Sequence, residues 1–183
     1  LPIYPLLCEV GYVGESGKME AVLEKLETVL EQHHKVLIFS QFVQHLQIIK
    51  RALDEQGVAY AYLDGSTTDR KGQVESFQKS DGQSVFLISL KAGGVGLNLT
   101  AADYVFLLDP WWNPAAEAQA IDRAHRIGQE KTVFTYKFIT KETVEEKILA
   151  LQQRKLDLAN ELVTSDESIL RALSEDEVLD LLS

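Results

Sequence analysis

From Ser16 onward the chain alternates between two hydrophobic rhythms. Met19, Val22, Leu23, Leu26, Val29 and Leu30 recur at helical spacing, and Ser16 is a candidate N-cap, so the pattern predicts an amphipathic helix. Lys35 to Ser40 (KVLIFS) is a short apolar run with strand character, followed by a helical pattern on Phe42, Leu46, Ile49 and Leu53 that stops at Gly57. Val58 to Leu63 reads as a second strand, Asp69 to Lys79 as a helix, Val85 to Ser89 as a third strand and Tyr104 to Leu108 as a fourth. Asn113 and Pro114 supply a cap and first turn for a helix expected to reach about Ile127, and Thr132 to Ile139 reads as a fifth strand. Strands rich in Val, Ile, Leu and Phe that alternate with helices predict an α/β fold of three layers, with a mostly parallel sheet covered on both faces.

The pattern changes at both ends. Leu1 to Glu15 has no period and mixes Pro, Gly and apolar residues, as a connector from upstream context would. After residue 141, Thr143 and Glu146 form a capping-box pair before a helix with Val144, Ile148, Leu151, Leu158 and Leu162 on its apolar side. Two short helical pieces follow, at 167–173 and 175–182. The expected organisation is a connector at 1–15, an α/β lobe at 16–141 and a helical extension at 142–183.

Composition narrows the picture. A chain of 183 residues, 45% of them hydrophobic, can bury one sizeable core. The single cysteine, Cys8, cannot form an internal disulfide, and no apolar run approaches the roughly 20 residues a membrane span needs. These features suit a soluble protein of a reducing compartment and give no sign of a membrane partner. His33, His34, His45 and His125 have no metal-ligand spacing with Cys8, so no metal site is expected. The net charge of −10 argues at first against a nucleic-acid partner. Its distribution removes the objection: residues 1–34 carry −4, 35–141 carry +1 and 142–183 carry −7. The acidity lies in the flanks, and a balanced middle permits contact with DNA without requiring it.

In an open parallel sheet, ligands bind at the carboxyl ends of the strands. Here those ends carry Ser40-Gln41, Asp64-Gly65-Ser66-Thr67-Thr68, Ser89 through Thr100, and Asp109 through Pro114. The opposite-edge turns, such as Gln56-Gly57 and Ser80-Asp81-Gly82, are plain. In SLKAGGVGLNLT, Gly93, Gly94 and Gly96 let the backbone approach a ligand closely, while Lys91 adds charge and Asn98 a two-way hydrogen bonder. A tight connection would use the same glycines. In QAIDRAHRIGQ, a continued helix puts Gln119, Arg123 and Arg126 on one face. That face could pair with Asp122 or Glu117, or it could present two guanidinium groups to a phosphate. Asp64 and Asp109 read as strand-end turn residues, and Trp111 and Trp112 as packing residues at a strand end.

The ordered set KVLIFSQF, YLDGSTTDR, LISLKAGGVGLNLTAADYVFLLDPWWNP and QAIDRAHRIGQ closely resembles the motifs of the second RecA-like lobe in Swi/Snf-type members of helicase superfamily two. The resemblance covers roughly residues 16–163. Gly128-Gln129 and Trp111-Trp112-Asn113-Pro114 favour double-stranded DNA translocases over the RNA-unwinding DEAD-box branch. The resemblance implies a RecA-like fold and roles for individual residues. Arg123 and Arg126 look like arginine fingers reaching ATP held mainly by the first lobe, with Gln119 assisting. Gly94, Gly96 and Asn98 look like a nucleotide-sensing loop. Ser40, Gln41, Gly65, Ser66, Lys91, Ala92 and Gly93 look like contacts tracking one DNA strand, and Trp112 looks like a residue lining the DNA cleft.

A complete enzyme of this type also needs a phosphate-cradling Gly-Lys-Ser/Thr loop and an acidic magnesium box on the first lobe. Neither occurs in this sequence: in Gly11 to Met19, Tyr12 stands where the earlier glycine would fall and Met19 where the hydroxyl would. The expected ligands are therefore ATP and Mg2+, bound mainly by the first lobe. The expected partners are double-stranded DNA and that lobe, in a prokaryotic cytoplasm or nucleoid or a eukaryotic nucleus. The competing reading is a non-catalytic protein- or DNA-interaction module that keeps the fold.

Overall fold

The computed structural model describes residues 17–79, 81–90, 92, 97–126 and 128–164. The expected connector, the Ser16 cap, Lys91, Gly93, Gly94, Gly96 and the two short C-terminal helices lie outside the described residues.

The elements run α1 (Gly17–Glu31), β1 (Val36–Ser40), α2 (Val43–Gln56), β2 (Tyr60–Leu63), α3 (Arg70–Gln78), β3 (Val85–Ser89), β4 (Tyr104–Leu107), α4 (Pro114–Ile121), β5 (Phe134–Lys137) and α5 (Val144–Thr164). The sheet order is β2-β3-β1-β4-β5, with every pairing parallel. Alternate strand residues face opposite layers, as the pleat requires. Leu37, Phe39, Phe86, Ile88, Val105 and Leu107 pack with Phe77 of α3 and Ala120 of α4. Val36, Ile38, Val85, Leu87 and Phe106 pack instead with Val22, Leu26 and Val29 of α1 and Leu46, Ile49 and Leu53 of α2. Helices α1 and α2 therefore cover one face and α3 and α4 the other, the three-layer arrangement expected of a RecA-like lobe.

The order of strands fixes where a ligand can enter. The chain leaving β1 crosses towards β2, whereas the chain leaving β4 crosses towards β5, so the carboxyl-end loops part between β1 and β4. Registers Phe39↔Leu107 and Ser40↔Ser89 bring three strand ends level at that point.

Local chemistry sets most boundaries where they were expected. Gly57 ends α2 with φ 68°, a conformation glycine takes without steric cost, and its N–H and that of Val58 close onto the last helical carbonyls. That use of Val58 delays β2 until Tyr60. Asn113 caps α4 by accepting the Ala115 N–H at 3.0 Å, with Pro114 in the first turn.

Three expectations need correction. Phe42 is the residue before α2 rather than part of its buried stripe, and it is 39% exposed. The helix expected to reach Ile127 ends at Ile121, because the next carbonyls are diverted to tertiary partners: Arg123 O accepts the Leu99 N–H and Ala124 O accepts the Gln129 side-chain amide. On α5, Ile148 is buried as expected, but Val144, Leu151 and Leu158 are exposed and the helix seats Glu145 and Gln152; the Leu162 side chain lies outside the described residues.

Candidate functional site at the carboxyl edge

A buried polar bracket occupies the place where the loops part. Asp109 lies two residues past the end of β4, and its Oδ2 accepts the Ser40 hydroxyl at 2.5 Å and the Gln41 N–H at 3.0 Å. Its Oδ1 lies 2.9 Å from Nδ1 of His45 on α2. The Ser40 hydroxyl in turn accepts the Phe42 N–H at 3.0 Å. Ser40, His45 and Asp109 are all buried, so each polar atom needs the partner it finds. The bracket holds the β1 and β4 loops in one geometry and directs Gln41 towards the rim, where its amide donates to Pro110 O.

Beside the bracket, Phe39, Leu90, Trp111, Ala116, Gln119, Ala120 and Arg123 line a cavity of about 90 Å³. Arg123 is only 3% exposed, and its Nη1 meets no hydrogen-bond partner among the described residues. Burial, and behind it the charge of Arg126, hold its guanidinium below the ordinary arginine pKa. A buried cationic donor with an idle N–H is suited to an anionic oxygen. Arg126 is exposed, and it stands beyond the end of α4. The helical-face argument that grouped it with Gln119 therefore does not apply, although its charge still acts on Arg123.

Surrounding segments are fastened to this edge from several sides. The Gln129 amide donates to Thr100 O, Ala102 O and Ala124 O, tying the arginine segment to the return of the glycine loop. The Gln78 amide donates to Asn98 O and accepts the Ala101 N–H. Arg70, at the start of α3, donates to Ala92 O. In the loop after β2, Asp64 Oδ1 accepts both the N–H and the hydroxyl of Ser66. The Ser66 hydroxyl leads the contacts that hold this carboxyl below the usual range, and burial opposes them. Gly65 and Ser66 are left exposed at the tip.

The model of the helicase conserved C-terminal domain family matches residues 17–128, well over half of the chain. The chain belongs to that family. It is 42% identical over 173 residues to an "Uncharacterized ATP-dependent helicase" of Mycoplasma pneumoniae, a match covering 93% of this chain and 17% of the relative. It is 40% identical over 181 residues to the DNA repair protein RAD5 of Gibberella zeae, covering 97% of this chain and 16% of that one. The chain thus spans less than a fifth of the length of these curated relatives. Among solved structures, the C-terminal part of the Fun30 ATPase domain matches with a TM-score of 0.71 and 41% identity, covering 75% of this chain and 45% of that one. Motifs and relatives together identify the second RecA-like lobe of the Swi/Snf type.

Within this helicase C-terminal domain, the expected site residues divide into three groups. Gln119 and Arg123 line one cavity, and Gln41, Gly65, Ser66, Asn98, Trp112 and Arg126 stand along the rim or its loops. Ser40 and Ala92 form the second group: both are buried, with the Ser40 hydroxyl donating to Asp109 and the Ala92 carbonyl accepting from Arg70. Lys91, Gly93, Gly94 and Gly96 lie outside the described residues. His45, Asp109, Glu117, Gln129 and Gln152 were missed as site-shaping residues. A polar residue closing the apolar run YVFLLD was the available signal for Asp109; for Gln152, inside a leucine-bearing helix, there was none. Among the described residues no group of three or more His, Cys, Asp or Glu could hold a metal ion, and no helix is long and apolar enough to cross a membrane.

Proposed function

We propose that this helicase C-terminal domain is the second motor lobe of an ATP-driven translocase on double-stranded DNA, and that it completes a nucleotide pocket whose other walls belong to a first lobe of the same protein. The observation that carries the proposal is the idle, buried Nη1 of Arg123 in a cavity shared with Gln119, with the charge of Arg126 close enough to act on it. That donor fits a phosphate oxygen. ATP, when bound, supplies the transferable phosphoryl group, with magnesium held by first-lobe carboxylates. Arg126, being exposed, is free to reach across and stabilise the charge that develops in the transition state. Arg123 holds the pocket-side oxygen, and Gln119 orients it. Arginines in this role contribute about 10³ to 10⁵ in rate, or roughly 4 to 7 kcal/mol. The chain alone, lacking the phosphate loop, does not hydrolyse ATP appreciably.

The DNA track runs along the same edge, past Gln41, the Gly65-Ser66 tip and Trp112, which is 59% exposed. Exposed backbone and small polar groups hold phosphates without reading bases, as a moving enzyme requires. The helicase and DNA-repair descriptions of the relatives favour this reading over a non-catalytic module, and they fit an intracellular location, nuclear in a eukaryote.

Displacement of a third strand from duplex DNA tests the motor directly. The full-length protein should release the third strand only when ATP is hydrolysed, while leaving a plain duplex paired. DNA binding with no ATP-driven release would leave only the interaction module.

A further inference from the structure

The C-terminal helix contributes a polar side chain where its sequence offers leucines. On α5, Leu151 and Leu158 are exposed while Gln152 is 3% exposed. Burying an amide costs free energy unless its hydrogen bonds are made, so a buried glutamine beside exposed leucines marks a specific engagement. Gln152 Nε2 donates to the Trp111 carbonyl and, at 2.7 Å, to Oε1 of Glu117. The same Glu117 oxygen accepts the Trp111 N–H at 2.8 Å, and Lys137 holds its other oxygen. Both polar groups of the Trp111 backbone are therefore fixed by two buried side chains, Glu117 and Gln152. Trp111 is itself a wall of the cavity that holds Arg123, and Glu117 lies two residues before Gln119 on α4.

We infer that Gln152 is a positioning residue for the Arg123 cavity, making α5 a working part of the site. It acts with Glu117 to lock the Trp111 peptide, which shapes the cavity wall on one side and sets the neighbouring Trp112 at the rim on the other. A shift of α5 would reach α4 and the tryptophan loop through this joint. Two further links, Lys18 to Glu145 at 2.8 Å and the Thr140 N–H to Glu145 at 2.7 Å, anchor the start of α5 independently of Gln152. Loss of Gln152 should therefore loosen the joint without undocking the helix. The effect on turnover rests on the motor reading above; the effect on the Trp111 peptide does not.

The test compares Gln152→Met with Gln153→Met in the full-length protein. Gln153 is exposed and, among the described residues, its side chain bonds Asp157 on its own helix, so its replacement is the control. Hydrogen exchange of the Trp111 amide should quicken about fivefold in Gln152→Met and not in the control. The ratio of ATP turnover with DNA to turnover without it, which is independent of the active fraction, should fall at least about threefold. Unchanged exchange at Trp111 overturns the inference whatever turnover does, and faster exchange with an unchanged ratio overturns the working role of α5. Should Gln152→Met fail to fold, Gln152→Asn, too short by one methylene to reach both partners, is read by the same two measurements. A wild-type protein without ATP turnover would sink the motor reading while exchange still decides whether Gln152 fixes the Trp111 peptide.

Discussion

The Ser40 hydroxyl donates to Asp109 Oδ2 over 2.5 Å, joining the ends of β1 and β4 where the crossovers of the sheet part. His45 occupies the other carboxylate oxygen, so one buried side chain serves three elements. Asp109→Ala strands the Ser40 hydroxyl, the Gln41 N–H and the His45 ring nitrogen together. It should destabilise the lobe by about 3 kcal/mol or more, measured by urea unfolding. Ser40→Ala removes one donor to Asp109 and the acceptor of the Phe42 N–H, and should cost less, about 1 to 2 kcal/mol.

Gln129 should control the order of the arginine segment. Its amide reaches the carbonyls of Thr100, Ala102 and Ala124, beside a backbone bond from the Leu99 N–H to Arg123 O. Gln129→Leu should raise hydrogen exchange across residues 122–126 and lower ATP turnover in the full-length protein by about tenfold, as misplacement of a catalytic group does. Undisturbed exchange in that segment would remove Gln129 from the account.

The layered fold was legible because periodicity reports burial directly. Leu46, Ile49 and Leu53 occupy the positions their spacing assigned, and Val85 to Ser89 is a strand with the expected ends. The arginine segment was not legible to the same degree, since its helix gives way where Arg123 O and Ala124 O find partners 24 and 5 residues away in sequence. Tertiary competition of that kind leaves no period. The burial of Ser40 was hidden for a similar reason: a serine at a strand end looks the same whether it faces solvent or a buried carboxylate from another strand. The burial of Gln152 was hidden because its acceptors lie on the Trp111 loop and on α4, 41 and 35 residues earlier.

Gly57→Ala isolates a purely conformational cost. Gly57 has φ 68°, and a Cβ there meets nothing within 4 Å, so no clash contributes. The substitution should destabilise by about 1 kcal/mol, read as a lower urea midpoint with an unchanged slope.

Alkaline pH should weaken the fold through Tyr60. Burial, followed by the hydrogen bond to Asp54 and the charge of that carboxylate, pushes its pKa up from 10.0 to about 12. The protonated phenol is therefore favoured in the folded chain, and its contribution is complete below pH 10 and lost as the pH rises to about 12. Urea unfolding of wild type against Tyr60→Phe should show a stability difference that shrinks across that window. A difference that stays constant would separate Tyr60 from the pH dependence.

Turnover of ATP by the full-length protein carrying Arg126→Ala bears most directly on the central claim that this lobe supplies guanidinium groups to a shared phosphate site. With DNA saturating and thermal stability unchanged, kcat should fall by about 10³-fold or more while nucleotide still binds. Turnover at the wild-type rate in a folded, DNA-bound Arg126→Ala protein would contradict it.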